Sequence, residues 1–191
     1  MTNKQGKIKT LFSYIQRYGF NQSLENIALG IGITKKTLFN RYKSREGLEK
    51  EVFNFWKQSV IERYRNRSLF TNNAVEKLIF FIYELKKCKE LEAHFFDREI
   101  KITDFELIDD ERSFQFVIWK ILNEGKLEEV ISSQISSCSW GHLLHFNIFN
   151  LILHDEKNVN IDFIISLISP LLTKEGNEIL TSLNLERLMQ D

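Results

Sequence analysis

Proline occurs once in this chain of 191 residues, and glycine only eight times. So little punctuation leaves few sharp backbone turns, which favours long helices over short, turn-linked strands. Two cysteines, Cys88 and Cys138, are too few and too far apart to define a disulfide scaffold or a metal site. No apolar run reaches the roughly eighteen residues that cross a bilayer, and no secretory leader is legible. A soluble, cytoplasmic protein without a membrane partner is therefore expected. Net charge is lacking too, since 26 Lys/Arg balance 26 Asp/Glu. What is present is apolar mass, 43% of residues, enough for a real core and for a small module joined to a larger body.

The zero balance hides a partition. Residues 1–67 hold fourteen Lys/Arg against five Asp/Glu, a net of +9, which leaves −9 for the remainder. A basic N-terminal third suits phosphate contact, because neutralising phosphates releases counterions. The acidic remainder argues against DNA wrapping around the whole protein.

Within the basic third, residues 23–47, SLENIALGIGITKKTLFNRYKSREG, read as two short helices and a tight turn. Ser23 is an N-cap, and Leu24, Ile27 and Ala28 fall on one helical face. Gly30-Ile31-Gly32 interrupts the helix, and Ile33 is the apolar residue that pins the turn. Thr34 caps a second helix in which Leu38 and Tyr42 face inward. Lys35, Lys36, Thr37, Asn40 and Arg41 then face outward, and these are side-chain types that hydrogen-bond base edges and phosphates. Helix, turn, helix with such an outer face is the helix-turn-helix arrangement, which implies double-stranded DNA as partner.

The flanks complete a three-helix module. Ile8, Leu11, Phe12 and Ile15 predict an amphipathic helix over 5–18, with Gly19 as C-cap and Phe20 folding back. Ser44 is a third N-cap, and Leu48, Val52, Phe53, Trp56 and Val60 predict a long helix to about Arg67. Its tail, Arg63, Arg65 and Arg67, reads as solvated surface. Helical periodicity continues over 73–88, a shorter segment near 90–100, and 109–125 with Gly125 as C-cap. A long apolar helix is expected over 127–154, and another over 159–173 that Pro170 ends near Ser169. A short helix lies within 177–189. Ser133, Ser136, Ser137 and Gly141 alternate with bulky apolar residues, and residues 160–172 are apolar on most of their circumference. That surplus implies burial beyond one monomer's core.

Residues 5–56 resemble the N-terminal domain of the TetR-like transcriptional regulators. Ser23 to Ile27, Ile33-Thr34, Leu38-Phe39 and Ser44-Arg45-Glu46 occupy the places of that family's capped helix, turn, recognition helix and Ser-Lys-Glu step. Lys36 replaces a frequent glycine and Phe39 a usual tyrosine, with loss of a hydroxyl that reaches phosphate. The resemblance implies an all-α fold, with a helix-turn-helix DNA-binding domain over 1–46 and a helical bundle for effector binding and dimerisation over 47–191. The expected DNA-binding set is Ser23, Thr34, Lys35, Lys36, Thr37, Asn40, Arg41, Lys43 and Arg45. It implies a homodimer through Phe146, Phe149, Ile152, Ile164 and Ile168, reading a near-palindromic operator whose half-sites lie roughly 34 Å apart. It further implies a repressor released by a small apolar or aromatic effector, held by Phe80, Tyr83, His94, Phe114, Trp119, Cys138 and His142. Aromatics at helical spacing otherwise read as plain core.

An enzyme is the competing class. His142 and His145, with His154 further on, have the look of metal ligands, and Asp109-Asp110-Glu111 of catalytic carboxylates. No acidic ligand neighbours the histidines, the acidic triplet opens a predicted helix where the dipole favours it, and no nucleophile elbow or phosphate loop occurs. No cofactor, metal or catalytic residue is therefore expected. A helical adaptor without DNA contacts would need a non-polar outer face over residues 34–41, which this sequence lacks.

Overall fold

The computed structural model describes residues 2–102, 113–154 and 161–183, with side chains at 6–88, 95, 113–150 and 162–183. The fold there is all-α. Helix α1 (Thr2–Tyr18) precedes α2 (Leu24–Gly30) and α3 (Lys35–Tyr42), and α4 (Arg45–Ser68) leads into the body. The body contains α5 (Ala74–Ile102), α6 (Phe114–Leu127), α7 (Ser137–His154), α8 (Ile161–Ile168) and α9 (Lys174–Ser182). A 3-10 turn, Ser169–Leu171, carries Pro170 where the sequence places the break. None of the helices among the described residues is long and apolar enough to cross a membrane.

The expected apolar stripes form the core. Ile8, Leu11 and Ile15 of α1 are buried, as are Leu48, Val52, Phe53, Trp56 and Val60 of α4. Gly19 adopts φ +75° after α1 and donates its N–H to the Ile15 carbonyl at 2.7 Å. Phe20 packs edge-on against Phe95 of α5 at 5.2 Å.

Phe95 joins the N-terminal helices to the body. Its fully buried ring stacks on Phe12 of α1 at 5.0 Å and on Trp56 of α4 at 5.8 Å. Trp56 meets Phe114 of α6 edge-on at 5.6 Å, and Phe114 in turn touches Phe81 of α5 and Phe149 of α7 at 5.9 and 5.7 Å. One continuous run of rings therefore crosses the molecule from α1 to α7. Beside it, the buried Glu84 of α5 accepts a 2.8 Å ion-pair hydrogen bond from Arg67, with Arg63 at 3.5 Å. Two arginines expected on the surface thus hold a buried carboxylate.

Several helix boundaries differ from the sequence expectation, among them α9, which starts at Lys174 behind the Thr173 cap rather than at Asn177. The segments 73–88 and 90–100 belong to one helix of 29 residues, because no glycine or proline falls between them. Gly125 lies inside α6 rather than capping it, and a Cβ there would sit 2.5 Å from Ile131 and 3.0 Å from the Ala74 side chain. The expected helix over 127–154 starts only at Ser137. Before it, Ile131 bridges Leu172, and the Ser132 and Thr173 amides donate to Leu171 and Val130 carbonyls at 2.9 and 3.1 Å. Long-range pairing overrides local periodicity there.

Phe95→Ala is expected to cost about 3–5 kcal/mol, the range for truncating a buried Phe. Chemical denaturation followed by circular dichroism would measure it.

Candidate nucleic-acid interface

Three hydroxyl caps set the helix-turn-helix. The Asn26 amide donates to Ser23 Oγ at 3.1 Å, the Thr37 amide to Thr34 Oγ1 at 3.1 Å, and the Gly47 amide to Ser44 Oγ at 3.0 Å. Each satisfies a backbone donor that a helix start leaves open. The turn after α2 is a paired hydrogen-bond reversal. Gly32, at φ +71°, donates to the Leu29 carbonyl at 3.1 Å, and Ile33 to that of Ala28 at 2.9 Å. Ile33 thus pins the turn, as its place in the sequence implies.

Ile27, Ala28, Leu38 and Tyr42 are buried, while Lys35, Lys36, Thr37, Phe39, Asn40 and Lys43 of the second helix and its cap are exposed. The Thr34 and Thr37 hydroxyls lie 2.9 Å apart, Thr34 being committed to its cap, as is the exposed Ser23 to its own. Arg41 is half-buried, its guanidinium 5.9 Å from the Tyr42 ring centre. Burial pushes the Tyr42 hydroxyl above its ordinary pKa, so it stays protonated throughout neutral pH. Phe39, 55% exposed among lysines, is an outward residue that the expected DNA-binding set omits.

Lys35 forms an ion pair with Glu25 of α2. Hydrogen bonding to Lys35, aided by the residue's own backbone amide, lowers the Glu25 pKa. The pairing is therefore present above the ordinary carboxylate range and is lost as pH falls through the lowered value. Both partners are more than half exposed, so the pair holds Lys35 only weakly against a phosphate.

Lys43 ends α3 at φ 65°, ψ −40°, and the Ser44 amide donates to the Tyr42 carbonyl across it at 2.7 Å. That is a strained three-residue turn at a non-glycine position, and it holds an exposed cation at the end of the outward row.

Arg45 of the expected set also has a structural role. Its Nη1 donates to the Gln22 carbonyl at 2.9 Å, its Nη2 to that of Phe20, and its Nε to Glu49 at 2.8 Å. All three nitrogens thus help tie the start of α4 to the α1–α2 link, while the side chain keeps 42% of its surface exposed.

The two expected sites in the body fare differently. Phe114 is fully buried among Trp56, Phe81 and Phe149, as part of the core. Cys138 is exposed. Tyr83 on α5 lies under the Arg67 guanidinium at 5.7 Å, whereas Trp119 packs on Phe116 at 5.4 Å. Phe80 and His142 are half-buried, and His94 falls outside the described side chains. Among the described side chains, none of these expected pocket residues lines the cavity of about 100 Å³ between α4, α5 and α6, which has Tyr64, Val117 and Ile121 among its walls. Sequence periodicity carries no signal for it, because it depends on where helices fail to meet.

Of the expected dimer residues, Phe149, Ile164 and Ile168 are 3%, 2% and 0% exposed within a single chain. They are corrected to core, having no surface left for a partner. Phe146 remains 67% exposed, Ile152 is outside the described side chains, and Leu143 and Phe163 are exposed apolar residues missed by the sequence reading. Among the described residues no group of three His, Cys, Asp or Glu converges as metal ligands. His145 is buried against the Phe149 ring at 4.6 Å, while His154 and Asp109-Asp110-Glu111 lie outside the described side chains.

A capped helix-turn-helix braced on an all-α body defines the class. No protein-family model matches the sequence, and no curated protein matches it. Solved structures do. RolR without ligand is similar at 14% identity over 94% of this chain and 97% of its own, with a TM-score of 0.69. The TetR family protein CprB from S. coelicolor A3(2) is similar at 13% identity over 100% of both chains, with a TM-score of 0.66. CprB in complex with its biological operator sequence gives 12% identity over 97% of this chain and 96% of its own, at 0.62. The chain has the TetR-like fold.

Two substitutions separate structure from recognition. Lys43→Gly relieves the strained turn and should raise stability by about 0.5–1 kcal/mol while weakening DNA binding; thermal melts and fluorescence anisotropy measure the two. Arg45→Ala should lower stability by about 1.5–3 kcal/mol, the range for hydrogen bonds to a charged group, as read by denaturant titration.

Proposed function

We propose that this protein is a dimeric, sequence-specific DNA-binding transcriptional repressor released by a small effector. The observation that carries the proposal is the exposed row Lys36, Thr37, Asn40 and Lys43 on a capped helix, inside a segment of net charge +9. The operator complex of CprB, a protein of the same fold, supports DNA as the partner. In this reading Asn40 and Thr37 contact base edges, and Lys35, Lys36 and Lys43 contact phosphates. DNA recognition belongs to residues 1–46, and effector binding and pairing to residues 47–191.

The outward face of α7 supports a two-fold partner. Leu143 and Phe146, with Phe163 of α8, expose apolar surface that a second copy would cover. Two reading helices then meet half-sites about one DNA turn apart.

Duplexes selected from a random library, measured by anisotropy across a salt series, test the DNA reading. The association constant is expected to fall steeply with salt, each phosphate contact contributing a slope of about −0.9. Absence of a complex at low salt overturns it. Asn40→Ala should cost about 1–3 kcal/mol and relax sequence preference, whereas Lys36→Ala should weaken all sequences alike. Glu25→Gln should tighten binding by freeing Lys35. Phe146→Glu should yield monomers by light scattering at unchanged helicity, and an intact dimer would remove that face from the interface.

A further inference from the structure

We propose that the cavity between α4, α5 and α6 binds a short-chain carboxylate, its apolar tail inward and its carboxylate at a cationic rim. The lining is graded by exposure. Tyr64, Val117 and Ile121 are 6%, 5% and 2% exposed and form the apolar floor, whereas Arg65 and Lys120 stand exposed at the mouth. Lys77 is the third cation, and Glu124 is the sole carboxylate in the lining. Glu124 takes Lys77 at 2.8 Å and lies 3.9 Å from Lys120. Three cations against one carboxylate leave a local surplus of two positive charges, Arg65 coming from the basic first 67 residues and the rest from residues 68–191, whose net charge is −9. A monoanion is what that surplus selects.

Size and polarity narrow the class. About 100 Å³ is roughly the liquid volume of three waters, so a tail of a few carbons fills it. Burial pushes the Tyr64 hydroxyl well above its ordinary pKa, so the phenol remains neutral and can donate a hydrogen bond at physiological pH. A wholly polar anion such as phosphate would leave Val117 and Ile121 without apolar contact, while an uncharged hydrocarbon would leave the rim unmatched.

The site also links two elements. A carboxylate shared by Arg65 and Lys120 ties the last turn of α4 to α6. Because α4 begins beside the helix-turn-helix, occupancy would bias its position; this regulatory half rests on the DNA-binding reading, and the site itself does not.

Calorimetric titration of the full chain with acetate, propionate, isobutyrate and isovalerate tests the site without DNA. Affinity is expected to rise about threefold to fourfold per added carbon until the cavity is full, the factor set by burying one methylene. Lys120→Glu and Arg65→Ala should each weaken isovalerate binding tenfold or more at unchanged helicity. No saturable binding, equal affinity across the series, or competition by inorganic phosphate as strong as by isovalerate would overturn the proposal. An operator affinity unchanged by saturating isovalerate would overturn the regulatory half alone.

Discussion

The packing of Phe95 against Phe12, Phe20 and Trp56 makes one object of two parts. Helices α1 to α3 bury few residues of their own, and a three-helix module of that size has a marginal core. Its remaining apolar surface is satisfied by a ring from α5 that is wholly withdrawn from solvent. Trp56 then carries the same packing into Phe114 and Phe149. Close-packed aromatics tolerate little displacement, so the helix-turn-helix and the body are mechanically coupled. The Arg45 fork to the Phe20 and Gln22 carbonyls adds a polar tie beside this apolar one.

The outward face of α3 is built on the opposite principle. Lys36 and Asn40 are solvated, and Lys43 occupies a backbone conformation that glycine would accept more readily. Rigid support beneath a polar, locally strained row is how side chains are held ready for a partner. Glu25 tempers the row, since its carboxylate engages Lys35 when no phosphate is present.

Much of this was legible from residue order. Ser23, Thr34 and Ser44 are caps because a hydroxyl before an apolar-periodic run satisfies the first open amides, which is a local property. Pro170 ends a helix for an equally local reason. Non-local physics was hidden. Arg45 has the sequence position of a phosphate ligand, yet its partners are carbonyls 23 and 25 residues away. Phe149, Ile164 and Ile168 have the apolar spacing of an interface, but the same spacing serves a core, and only three-dimensional packing assigns the face. Gly125 reads as a stop until Ile131 and Ala74 are seen to press against it.

Helix α4 belongs to both parts, and its length has a geometric consequence. Its 24 residues span roughly 36 Å at the α-helical rise. A rod of that length, pivoted at one end by about five degrees, displaces its other end by about 3 Å. In the two-fold, DNA-bound assembly proposed above the displacement would be made twice, in opposite senses, so the separation of the two α3 helices would change by about 6 Å against a DNA repeat of roughly 34 Å. Register on the double helix is lost by such an amount while every helix keeps its internal hydrogen bonds. Under that proposal, small angular freedom at the C-terminal turn of α4 would become a decision about spacing.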